Sequence, residues 1–190
     1  MPREIDQQQR DRQIVEAAWE VIAREGVAAL SVRRVAAEAG LSAGSLRYSF
    51  PSQAALRERA VETLIERLSS RIAALDTSLA PRVWARAVLL ELLPLDQQRC
   101  IEMEVGIALG IAAKADSGLH PLRRRLDDEI RRTCDSAARM LGHDDPRDID
   151  MLHGIVDGLA LHLVAQEPGT SADWAIAVID RWLESAAGQG

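Results

Sequence analysis

Leu30-Ser31-Val32-Arg33-Arg34-Val35-Ala36-Ala37-Glu38-Ala39-Gly40-Leu41-Ser42-Ala43-Gly44-Ser45-Leu46-Arg47-Tyr48-Ser49-Phe50-Pro51-Ser52-Gln53 is the stretch on which the fold turns. Val32, Val35, Ala36 and Ala39 recur at helical spacing, Gly40 stands where a left-handed residue ends a helix, and Leu46 and Phe50 resume the pattern. Ser31 and Ser42 each precede a helical run by one residue, where a hydroxyl oxygen accepts an orphan backbone N–H. Small Ala36 and Gly40 let two helices approach, and Val32, Val35, Leu41 and Leu46 are expected to face inward. Two short helices around a tight turn read as helix-turn-helix.

The second helix, roughly residues 43–49, is small and polar at its start, so Ser42, Ala43, Ser45 and Arg47 are sterically free to approach base edges in a major groove. Twenty residues of this pattern fit a purely structural helical corner equally well. Upstream, residues 1 to about 7 read as a polar arm. From Gln8, Ile14, Ala18 and Ile22, flanked by Val15, Trp19 and Val21, form a stripe ending at Gly26, with Val27 and Leu30 packed beneath it. Arg10 and Arg12 lie at the start of that helix, on either a solvated face or a phosphate-contacting one. Downstream, Pro51 disfavours helix at Phe50 and Ser52 caps a new helix from Gln53 to Leu75, with Leu56, Ala60, Leu64, Leu68 and Ile72 at steps of four. At about 1.5 Å per residue it exceeds about 30 Å, long enough to link a small head to a larger body.

Composition allows that division. The chain has 190 residues, 47% of them hydrophobic, and a net charge of −6, which excludes a wholly basic nucleic-acid coat. Charge is unevenly spread: eleven arginines face ten acids through Arg71, whereas twelve basic face nineteen acidic residues afterwards. Two cysteines, Cys100 and Cys134, make no disulfide framework and read as buried thiols or, less simply, a redox pair. The first twenty-odd residues lack an apolar core segment and no run approaches eighteen apolar residues, so neither a signal peptide nor a membrane span is expected and the expected compartment is the cytoplasm.

Past Ala80-Pro81, helical stripes cover residues 83–93, 99–113, 119–141, 149–166 and 172–186, punctuated by Pro94, Ser117-Gly118, residues 142–146 and Pro168-Gly169. No strand-like alternation occurs, so the chain reads all-α, an N-terminal three-helix helix-turn-helix domain followed by a C-terminal helical domain for ligand binding and dimerisation. Residues 105–113 are apolar on every face, predicting a helix central to the body. Gly106 and Gly110 thin one side of it for close packing or for a cavity wall. Trp84, Glu102, Met103, Gly106 and Leu109 are candidates to line a ligand pocket, with Trp84 and Glu102 able to hold a cation by ring face and charge. A core tryptophan and a solvated glutamate are the plainer alternative.

In residues 152–164 and 174–183 apolar side chains occupy nearly every face, and Gly154 and Gly158 would admit another helix. Two such helices have more to bury than a monomer requires, which predicts a homodimeric four-helix bundle through Gly154, Ile155, Gly158, Leu159, His162, Trp174, Val178 and Trp182. His143-Asp144-Asp145 and the pair His153 and Asp157 lack a third ligand, so no metal is expected; Arg123-Arg124-Arg125 beside Asp127-Asp128-Glu129 reads as a solvated, salt-bridged face. No phosphate loop, nucleophile elbow or metalloprotease motif is present, no cofactor is expected, and no residue set supports an enzyme.

The strings Ile14-Val15-Glu16-Ala17-Ala18, Ala23-Arg24-Glu25-Gly26-Val27, Leu30 to Ser42 and Leu46-Arg47-Tyr48-Ser49-Phe50-Pro51-Ser52 together make residues 8–75 resemble the N-terminal domain of the tetracycline-repressor (TetR) family of bacterial transcription regulators. Residues 94–166 also resemble the C-terminal domain of its BetI-type subgroup, whose regulators dimerise through these helices. The resemblance implies phosphate contacts from the helix start at Ser31, Val32 and Arg33 and from Tyr48, and base contacts from Ser42, Ala43, Gly44, Ser45 and Arg47. The family often has Tyr at Arg47, His at Ser49 and Lys at Gln53, so operator preference does not carry over, and Gln53 is a contact position without its usual cation. The expected organisation is a DNA-binding domain over residues 1–52 and a ligand-binding and dimerisation domain over 53–190. The expected function is repression from a palindromic operator on double-stranded DNA, relieved by a small molecule; an all-α binding or interaction module without specific DNA affinity is the alternative.

Overall fold

A computed structural model describes residues 2–167 and 169–187. Among them the chain forms α1 (Pro2–Glu25), α2 (Val32–Glu38), α3 (Ala43–Ser49), α4 (Gln53–Ala73), α5 (Pro81–Glu91), α6 (Gln97–Ala113), α7 (His120–Met140), α8 (Pro146–Val164) and α9 (Asp173–Ala187), with single 3-10 turns at Val27–Ala29 and Ser117–Leu119. No strand occurs among the described residues, and the fold is all-α. Pro168, expected to punctuate the last loop, lies outside them.

One expectation is corrected at the outset: the segment read as a polar arm is helical from Pro2. Proline is favoured in a first helical turn, and glutamate, glutamine and arginine propagate a helix well without apolar periodicity to betray it.

The chain divides into two compact units, residues up to Ile65 with Glu104–Arg124, and Glu66–Met103 with Arg125 onward. In the first, Ile14, Ala18, Trp19 and Ile22 of α1 are buried with Leu30, Val35, Leu46, Leu56 and Ala60. The Trp19 indole N–H donates to the Ala60 carbonyl at 3.2 Å, giving the largest buried ring its one required polar partner.

This unit also contains residues 105–113, which are therefore not the centre of the body. Only Val105, Leu109 and Ala113, at steps of four, are buried, and Ile111 is 66% exposed. Gly, Ala and Ile on every face made the buried stripe invisible to periodicity. Gly110 is a close-packing position: a Cβ there would lie 3.3 Å from Arg123 Nε.

The second unit is built on a cluster in which Leu89, Leu93, Cys134, Ala137, Leu152, Ile179 and Leu183 are almost wholly buried. Arg86 Nη2 on α5 donates to Asp180 Oδ2 on α9 at 3.1 Å, and Arg131 Nη2 on α7 donates to Asp150 Oδ1 on α8 at 2.9 Å. Arg71 on α4 joins Glu91 and Glu102 at 2.9 and 3.0 Å. Burial pushes the Cys134 thiol up to about 12, so it stays protonated and inert at neutral pH. No helix among the described residues is long and apolar enough to cross a membrane.

Candidate nucleic-acid interface

α2 and α3 are set by local chemistry first. Ser31 and Ser42, both in extended conformation, accept hydrogen bonds from Arg34 N–H and Ser45 N–H, capping the two helices. Between them Leu41 N–H reaches the Ala36 carbonyl at 2.8 Å and Gly40 N–H the Ala37 carbonyl at 3.2 Å, a Schellman closure around Gly40 at φ 65°. The role expected for Gly40 in close helix approach is corrected: a Cβ there would meet nothing within 4 Å, so its left-handed backbone is the reason for glycine. Val32, Val35, Ala36 and Leu46 are buried, and Leu41 is half-buried.

Long-range polar ties then hold this motif to its neighbours. Gln13 Nε2 on α1 donates to the Ala39 carbonyl at 2.7 Å, at the open end of α2. Gln53 Nε2 donates to the Leu30 carbonyl, and Arg10 donates to Ser45 Oγ. Arg24 pairs with Glu38 at 2.7 Å, and Arg34 pairs with Glu25. The Arg24 hydrogen bond holds the Glu38 carboxyl below the usual carboxylate range. None of these ties has a sequence signature, since their partners stand 9 to 35 residues apart.

What remains uncovered is a coherent face. Ser42, Gly44, Arg47, Tyr48 and Ser49 of the α3 region are exposed, Tyr48 by 94%, while Ala43 and Ser45 are half-buried. Of the α2 positions Arg33 is exposed, Ser31 half-buried and Val32 buried. Arg12, Arg33 and Arg47 form no ion pair among the described residues, in contrast to paired Arg24 and Arg34. Gln53 is half-buried with its amide engaged to the backbone, so it braces the motif from within rather than lying open at its surface.

The five ligand candidates fall in both units. Trp84, Glu102 and Met103 belong to the second unit, whereas Gly106 and Leu109 belong to the first. There Leu109 lines a small apolar cavity with Ile22, Val27, Ala60, Val61, Val105 and the stem of Arg57. Glu102 is 9% exposed; Oε2 accepts from Arg71 at 3.0 Å, while Oε1 lies 3.7 Å from Arg67 and accepts no hydrogen bond. Glu102 is thus a paired, buried carboxylate rather than a solvated one.

Of the eight residues expected at a subunit contact, Gly154, His162, Trp174 and Val178 are exposed and Ile155 and Gly158 half-buried. Leu159 and Trp182 are corrected to core positions, each 7% exposed, because α8 and α9 turn those faces inward to the cluster of the second unit. Met151 and Leu161, 53% and 54% exposed, extend the open face and were missed. Met151, Gly154, Gly158 and Leu161 follow one another at steps of three, four and three, which was the available signal. A Cβ at Gly154 or Gly158 would meet nothing within 4 Å. His162 and Trp174 meet edge to face, ring centroids 6.5 Å apart. His143 pairs with Asp148 at 3.2 Å, Asp144 with Arg139, and Asp145 caps α8, so that acidic turn is spent on local structure.

Against known proteins, residues 14–60 match the sequence model for bacterial regulatory proteins of the tetR family, and residues 81–188 match that for the C-terminal part of BetI-type transcriptional repressors. The HTH-type transcriptional regulator PksA of Bacillus subtilis (strain 168) is 33% identical over 200 residues, covering 97% of this chain and 93% of that one. A transcriptional regulator from Rhodococcus sp. Rha1 superposes with a TM-score of 0.77 at 25% identity, over 94% of this chain and 96% of its own. A regulator from Saccharomonospora viridis solved in complex with choline has a TM-score of 0.70 at 22% identity, over 93% and 96%.

Proposed function

The chain belongs to the TetR family of bacterial transcriptional regulators, which are not enzymes, and from that membership we propose that it is a dimeric, cytoplasmic repressor released from a palindromic operator by a small molecule. The observation that carries the reading is α3: a capped, tethered helix whose exposed Arg47 and Tyr48 have no hydrogen-bond or ion-pair partner among the described residues. Unpaired guanidinium groups on a protein of net charge −6 are an electrostatic footprint for phosphate and for guanine edges. Ser42, Ala43, Gly44, Ser45 and Arg47 face the bases in this reading, and Ser31, Val32, Arg33 and Tyr48 line the backbone. Residues 1–52 act as the DNA-binding domain and 53–190 as the body.

Two such helices fit successive major grooves when their separation is about 34 to 36 Å. The exposed apolar face of Met151, Gly154, Gly158, Leu161, Trp174 and Val178 supports pairing of two copies through α8 and α9. The effector is received in the second unit near Trp84, Glu102 and Met103, where the aromatic face of Trp84 suits a cationic ligand; the choline complex of the Saccharomonospora regulator is in keeping with this. Such a ligand releases DNA only by as much as it prefers the non-binding conformation, and α4 is the helix placed to carry the shift.

A mobility-shift titration on the DNA upstream of the chain's own gene tests this. The wild-type protein is expected to form a complex resistant to competitor DNA, and Arg47→Ala to weaken it about tenfold without changing the oligomeric state. Equal affinities across a salt titration would remove Arg47 from the interface, and the lack of any competitor-resistant complex would favour an interaction module instead.

A further inference from the structure

Resting on the DNA-binding reading above, we propose that Arg10 is a specificity-determining positioning residue, which orients Ser45 so that this serine favours hydrogen-bond acceptors on the base edge. Ser45 lies in the first turn of α3, and its backbone N–H is taken by the Ser42 cap. Its hydroxyl oxygen accepts from the Arg10 guanidinium across 35 residues of sequence. A serine hydroxyl has one proton and two lone pairs, and a guanidinium has donors alone, so the bond to Arg10 consumes an acceptor site and leaves the proton unassigned. No acceptor within the chain takes that proton among the described residues. Serine normally pairs with donors or acceptors alike and discriminates poorly between bases. One lone pair remains, but a cation held against the oxygen weakens it as an acceptor and biases Ser45 to donate outward, toward guanine N7 or O6, adenine N7 or thymine O4, in preference to accepting from the amino groups of cytosine and adenine.

Two further observations favour a purpose at this point rather than surface bonding in passing. Arg10 is half-buried and Ser45 likewise, so the tie is partly shielded from competing water. Arg10 also forms no ion pair among the described residues, so none of their carboxylates competes with the serine for the guanidinium. In α1 the neighbouring Gln13 ties the end of α2, so one helix sets both halves of the motif, Gln13 fixing its backbone and Arg10 a side chain that faces DNA.

The test is in vitro selection of a randomised duplex pool on the full-length protein, comparing wild type with Ser45→Ala, Arg10→Ala, Arg10→Lys and the double variant Arg10→Ala/Ser45→Ala, each first checked for an unchanged thermal midpoint. Wild type is expected to enrich a symmetric motif. Ser45→Ala should lose preference at one position in each half-site by about 3- to 10-fold, the worth of one hydrogen bond. Arg10→Ala should lose the same preference at the same position, the double variant should lose nothing more, and Arg10→Lys should restore part of it because an ammonium also only donates. A merely structural Arg10 would lower affinity for all sequences alike. That uniform loss, or an unchanged motif in Arg10→Ala or Ser45→Ala, would overturn the assignment while leaving DNA recognition intact. Failure of the wild type to enrich any motif would overturn both.

Discussion

The helix-turn-helix and the second unit are stabilised by opposite means. Around α2 and α3 the helices are seven residues each, too short to persist alone, and they are held by two serine caps, two glutamine ties to backbone carbonyls and a small set of buried side chains. In the second unit, long helices close over an apolar cluster, and arginines and carboxylates pair with one another across its helices. The surplus differs accordingly. One region leaves cations without counter-charges, the other leaves an apolar stripe without a cover. In the proposed reading each surplus has a different partner, phosphate for the first and a second apolar helix pair for the second.

The largest effect should come from spoiling the apolar surplus. Leu161→Arg with Val178→Glu places charges at positions already open in the single chain, so folding is expected to survive while sedimentation reports a monomer. Specific DNA affinity should then fall on the order of 100-fold, since two half-sites are no longer bound as one. A variant still dimeric by sedimentation would show that the open stripe is not the contact. A smaller change sharpens the account of the polar region: Ser42→Ala removes the α3 cap and should cost about 1 kcal/mol in urea unfolding, with faster hydrogen exchange confined to α3. A null result would mean that tertiary ties alone hold the helix.

The smallest effect concerns pH. The Arg86 hydrogen bond holds the Asp180 carboxyl below the usual carboxylate range, so the pair stabilises the folded chain above about pH 4 and its contribution is lost as pH falls through the lowered value. Both side chains are 40% exposed, and solvent screening limits the gain to a few tenths of about 1 kcal/mol. Asp180→Asn should therefore flatten the acid side of the stability profile only slightly, measured by urea midpoints from pH 6 to pH 3. A steep loss in the variant at neutral pH would mean that the pair locks α5 to α9 more strongly than its exposure allows.

Much of this was legible beforehand because it is local. Caps at Ser31, Ser42 and Ser52, the left-handed Gly40 and the steps of four in α4 are short-range patterns, and all stand as the residues imply. What was not legible depends on which of several apolar faces turns inward. Residues 105–113 and the positions Leu159 and Trp182 were misplaced for that one reason, since a helix apolar all round has no preferred side until its neighbours are known. The start of α1 failed for the converse reason, a helix made of polar residues with no stripe to see. Around α2 and α3, the ties of Arg10, Gln13 and Gln53 were not legible, because they join positions brought together only by folding.

Tyr48 is the sole tyrosine of the chain and stands 94% exposed at the end of α3, while no other phenol competes for a reagent or a spectrum. Fluorotyrosine incorporation would therefore yield one fluorine resonance, placed on the exposed side of α3. If the proposed function holds, its shift and linewidth would count operator-bound, free and effector-loaded populations directly, without cysteine chemistry or an added fluorophore.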